Sequence, residues 1–107
     1  MTKDEIREIV KITIEELTAR QTKLTYPEIL RVMDKRLHTY FRKYNDDKLA
    51  DLLSYYNSND PYIDIIYYQY SNGQTIEWIA EHLHKDVSTI KRNKKRIITK
   101  MYEELYK

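Results

Sequence analysis

The chain of 107 residues contains one glycine, Gly73, and two prolines, Pro27 and Pro61. β-Turns and hairpins draw heavily on glycine and proline. A chain nearly free of both, and filled with Leu, Ile, Lys, Glu, Arg and Tyr, favours long helices. The length suffices for one ordinary core and falls short of two. An all-α helical bundle is therefore the expected fold class.

Punctuation residues divide the chain. Thr2 and Glu5 form a capping box ahead of Ile6, Ile9, Val10, Ile14 and Leu17, which fall on one face of a helix. Thr25, Pro27 and Glu28 open a second helix with its stripe at Ile29, Leu30, Met33, Leu37, Tyr40 and Phe41. A break at Asn45 leads into a third helix through Leu49, Leu52 and Leu53. Asp60 and Pro61 mark the next helix start, and Asn72-Gly73 a left-handed stop. The intervening segment, Tyr62 to Tyr70, is apolar nearly all round, which predicts a helix sandwiched between two layers. These signals suggest an N-terminal helical layer over residues 1–58, offering a dimerisation or partner surface, and a second region over residues 59–107.

The charge is distributed unevenly. Residues 1–84 carry 11 Lys/Arg against 14 Asp/Glu, whereas residues 85–100 carry seven Lys/Arg against one Asp. A basic stripe on one segment of an otherwise acidic chain is the footprint of phosphate contact. The residues ahead of the stripe sharpen this reading. Thr75 caps a short helix with apolar positions at Ile76, Ile79, Ala80 and Leu83, and Asp86 opens a second helix with Ile90 in its first turns. Two helices meeting across a tight turn need a small residue at the crossing, which Ala80 supplies, and a wedge, which Ile79, Leu83 and Ile90 fill. The expectation is a helix-turn-helix in which the Asp86 side chain caps the recognition helix.

The stretch from Ser71 to Leu105 resembles the helix-turn-helix of sigma-70 region 4 and of small phage regulators of the ArpU and RinA late-gene activator type. The shared features are Gly73 before a Thr-capped helix, Ile79-Ala80, Leu83, the Ser88-Thr89-Ile90 opening, and a basic tail running into Ile97, Met101 and Leu105. The likeness covers residues 60–105. It departs at the turn, where His84-Lys85 stands in place of Gly and an apolar residue, and at Asn93, where an aliphatic side chain is usual. It implies a sequence-specific, double-stranded DNA-binding transcriptional regulator of phage or mobile-element origin, acting in the cytoplasm of a bacterial host. RNA polymerase and a second copy of the chain are the further partners it suggests.

On this reading Val87, Ser88, Thr89, Lys91 and Arg92 face the bases, and Thr75, Lys85, Lys94, Lys95, Arg96 and Lys100 hold phosphates. A small terminase subunit and an interaction protein that occupies a host enzyme are the rival readings. No nucleophile-base pair or Gly-rich phosphate loop is present, so no catalysis is read. Cysteine is absent, and His82 and His84 lie two apart on different helix faces, so neither a metal nor another cofactor is expected. Asp46, Asp47 and Asp51 read as a capped helix start. The 11 tyrosines, mixed with isoleucine at helical spacing, read as core or interface before base-stacking platform. No apolar run is long enough for a membrane span, and no cleavable signal or small-molecule substrate is anticipated.

Overall fold

The computed structural model describes residues 24–107, so the helix expected from Thr2 to Leu17 lies outside the described residues. The described chain is all-α, with no strand. Helix α1 (Tyr26–Lys43) starts where the Thr25 backbone N–H donates to Glu28 Oε2 at 3.2 Å, with Pro27 in the first turn. Ile29, Met33 and Leu37 form its buried stripe. It stops at Tyr44, which takes the left-handed conformation (φ 54°) and donates its N–H to Tyr40 O at 2.7 Å.

Asp46 then performs two tasks. Its Oδ1 accepts the Leu49 N–H at 3.2 Å, capping α2 (Asp47–Asn59), while both carboxylate oxygens accept from Arg36 at 2.6 and 3.0 Å. A bidentate guanidinium fixes direction as well as distance, so this pair sets the corner between α1 and α2. Leu49, Leu53 and Tyr56 turn inward from α2.

The segment after Asp60 is helical but not uniform, which corrects the expectation of one regular helix. Asp60 Oδ1 accepts the Tyr62 N–H at 3.0 Å, and the chain runs through a 3₁₀ turn (Pro61–Ile63), an α turn (Asp64–Ile66) and a π-widened turn (Tyr67–Ser71). These pieces together form α3. The widening appears as the Asn72 N–H reaching back to Tyr67 O at 3.1 Å. The tyrosines of this stretch meet different neighbours. Tyr67 meets Phe41 edge to face at 5.5 Å between centroids, and Tyr68 meets Trp78 at 5.4 Å. Gly73 closes the segment at φ +69°, the left-handed stop read from the sequence.

Two apolar clusters flank α3. Ile63, Ile66 and Tyr70 join Ile29, Met33 and Leu37 of α1, the inner residues of α2, and Ile97, Ile98, Met101 and Leu105 near the chain's end. Ile65 faces the other way, into a smaller cluster with Ile79, Ala80 and Ile90. The larger cluster draws on residues both before and after 57–60, so the two halves of the chain share one core. No helix among the described residues is long and apolar enough to cross a membrane.

Candidate nucleic-acid interface

The C-terminal pair comprises α4 (Ile76–Leu83) and α5 (Val87–Leu105). Thr75 opens α4, its Oγ1 accepting the Trp78 N–H at 3.1 Å. Ile79 and Ile90 are completely buried and Ala80 is 4% exposed, with Leu83 and Val87 packed against them. Ala80 therefore lies at the close approach that the spacing requires.

The turn solves the absence of glycine by strain. His84 adopts φ 56°, ψ 45°; its N–H donates to Glu81 O at 3.2 Å and the Lys85 N–H donates to Ala80 O at 2.9 Å. This pair of bonds is the Schellman arrangement, which satisfies the last carbonyls of α4. One expectation fails here. Asp86 has the extended backbone of an N-cap, but its carboxylate makes no hydrogen bond to the first turn of α5. Asp86 is exposed, so water can serve both the carboxylate and the first amides without a direct bond.

The expected site residues fall into several groups. Ser88, Lys91, Arg92 and Lys95 are exposed and, at 100° per residue, share one face of α5. Val87 is half-buried against the smaller cluster. Thr89 points away from that face and is half-buried; its Oγ1 accepts from Arg92 Nη2 at 3.5 Å, and its carbonyl accepts from Asn93 Nδ2 at 2.9 Å. Asn93 thus satisfies a backbone group of its own helix. Lys85 is exposed in the turn, and Thr75 is exposed with its oxygen engaged in capping.

The remaining three cations lie off this exposed face. Arg96 is bound internally: its Nη1 lies 2.7 Å from Asp60 Oδ2, and Nε and Nη2 lie 3.4 and 3.1 Å from Asn93 Oδ1. Hydrogen bonding to Asp60 raises the Arg96 pKa, and the same bond lowers that of Asp60. Lys100 sits about half a turn round α5 from Lys91, in a separate hollow with Leu52, Tyr55 and Glu104. Lys94 is half-buried with its amine 5.4 Å from the centre of the Tyr70 ring, and burial lowers its pKa. The Tyr70 hydroxyl in turn donates to Asp34, and its own pKa is pushed far up, first by burial and then by that bond.

A feature that the sequence reading missed adjoins the exposed face. Between α1 and α5 runs an open trough of about 510 Å³. Tyr26, Leu30 and Ile76 form its apolar lining, Lys91, Arg92, Lys94 and Lys95 its charged lining, and no acidic residue lines it among the described residues. Lys95 Nζ stands 5.4 Å from the centre of the Tyr26 ring. Periodicity within one helix carries no signal for such a groove, because Tyr26 and Lys95 are brought together only by tertiary packing.

Trp78 and His82 form a second surface feature. Their rings stack at 4.6 Å, and Tyr68 OH lies 3.2 Å from His82 Nε2. This accounts for the outward position of Trp78 on α4. No family model, curated protein or solved structure matches the chain.

Proposed function

We propose that the protein is a sequence-specific double-stranded DNA-binding regulator in which α5 enters the major groove, as in the phage regulators that the motif resembles. The observation that carries this reading is the exposed face of α5. Ser88, Lys91, Arg92 and Lys95 stand together there, on a helix whose opposite side is locked into both clusters by Ile90, Ile97 and Ile98. A rigid helix presenting donors in its first turns can reach base edges, while cations farther along meet phosphate. Lys91 and Arg92 are assigned to bases, and Lys95 and Lys85 to backbone. Val87 and Thr89 support the helix and position Arg92. The reading places its action on phage or mobile-element DNA in a bacterial cytoplasm.

The test is selection of a preferred site from random duplexes, followed by titration of that site and a scrambled duplex at two salt concentrations. The two phosphate-neutralising cations, Lys85 and Lys95, give a slope of about −2 in log affinity against log salt. Lys91→Ala is expected to lose about 1 to 3 kcal/mol on the selected site and much less on the scrambled one. Lys95→Ala weakens both equally. Absence of duplex binding, or a salt slope near zero, would overturn the reading.

A further inference from the structure

Resting on that reading, we propose that the trough between α1 and α5 seats one phosphodiester strand of the same duplex, making the amino end of α1 a second arm of the DNA interface. The trough is strongly positive. The ion pairs Arg36–Asp46, Arg96–Asp60 and Lys107–Glu104 all lie outside the trough among the described residues. Four cations with no carboxylate on the walls among the described residues create a positive field that attracts an anion.

Two of those cations are held by aromatic faces. Lys94 and Lys95 each lie over a tyrosine face, Tyr70 and Tyr26, at 5.4 Å. An aromatic face positions an amine without neutralising it. Burial lowers the Lys94 pKa, and the Asp34 carboxylate, which also accepts from the Tyr70 hydroxyl, only partly opposes this. A phosphate oxygen at the trough would add a second negative charge beside Asp34 and hold the amine protonated.

The trough also lies where a backbone would pass. A helix seated in a major groove about 12 Å wide is flanked by both backbones, so elements packed beside it meet a strand. Tyr26 and Ile76 are the first residues of α1 and α4, and both line the trough. The positive ends of two helix dipoles therefore add to the side-chain charge. Leu30 and Ile76 offer an apolar lining for sugar faces. An acidic protein segment would need the charge alone, whereas a duplex on α5 brings its backbone to this trough by geometry.

The experiment replaces Tyr26 with the photocrosslinking residue benzoylphenylalanine in the full chain and irradiates it with the selected duplex. The same replacement at Tyr55, 61% exposed and outside the trough, is the control. We expect a cross-link to a single strand from position 26 and none from position 55. In parallel, Lys94→Gln should weaken selected and scrambled duplexes by the same factor and make the salt slope shallower by about one unit. If the unmodified chain binds duplex and Lys91→Ala flattens specificity, yet position 26 gives no cross-link and Lys94→Gln leaves the slope unchanged, the trough proposal falls while α5 remains the reading helix. If the unmodified chain binds no duplex, or binds single strands more tightly, both fall.

Discussion

Arg96 on α5 and Asp60 at the head of α3 form an ion pair at 2.7 Å across 36 positions of sequence, with the arginine side chain 41% exposed and the aspartate 11%. The same carboxylate caps α3 through the Tyr62 N–H. One side chain therefore fixes both where α3 begins and how α5 lies against it.

Arg96→Ala should destabilise the fold by roughly 1 kcal/mol or less, since half-exposed pairs contribute modestly. Its salt slope for duplex binding should match that of the unmodified chain, because the guanidinium is engaged internally. Thermal denaturation and salt titration of one variant check both halves. A slope shallower by a full unit would return Arg96 to the phosphate contacts.

Acid should act on the same pair and its counterpart. Hydrogen bonds to arginine hold Asp60 and Asp46 below the ordinary carboxylate value of 3.8. A depressed folded pKa contributes stability above the unfolded value and loses it as pH falls through the folded one. We expect the melting temperature to fall on acidification below about pH 4, with Asp60→Asn showing a shallower fall. Asparagine retains an oxygen for the Tyr62 cap, so the comparison isolates the charge.

At the turn, His84→Gly removes a side chain from a left-handed residue (φ 56°). The gain should be about 0.5 to 1 kcal/mol, the strain relieved less the extra freedom of glycine in the unfolded chain. DNA affinity should stay within about twofold, because the Schellman bonds use backbone atoms alone. Calorimetry that finds a loss of stability would show that the imidazole contributes more than its backbone costs.

Lys94→Met should raise the melting temperature at neutral pH while weakening duplex binding. The lowered pKa means that the folded state disfavours the charged amine, and its cost is largest below the folded pKa and fades as pH rises above it. The variant and the parent should therefore converge in stability toward alkaline pH. Opposed changes in stability and affinity mark a residue retained for binding rather than packing.

The sequence foretold most boundaries of this fold because boundaries are local. Thr25 with Glu28, Asp60 with Pro61, Asn72-Gly73 and Thr75 each act within four residues, and each appears where the spacing predicts. The outward face of α5 was legible in part: helical period places Ser88, Lys91 and Arg92 together. Val87 and Thr89, expected to face the bases with them, are half-buried, and Lys95, expected on phosphate, shares the exposed face. What escaped was set by remote partners. Nothing near Arg96 announces Asp60, nothing near Lys95 announces Tyr26, and nothing near Tyr67 and Tyr68 announces their ring contacts with Phe41 and Trp78. The charge count over residues 85–100 treated seven cations alike, although packing divides them into exposed, half-buried and ion-paired groups.

Helix α5 is one uninterrupted element, outward-facing along its first turns and anchored in the larger core by Ile97, Ile98, Met101 and Leu105. Any roll of its first half would drag those side chains out of register with α1. On the proposed reading, descendants of this protein that acquire new target sites are confined to changing the few side chains on the open face. They have no freedom to re-aim the helix. Divergence among such descendants should therefore concentrate at positions 88, 91 and 92, while the pitch at which the helix meets its target stays fixed across them.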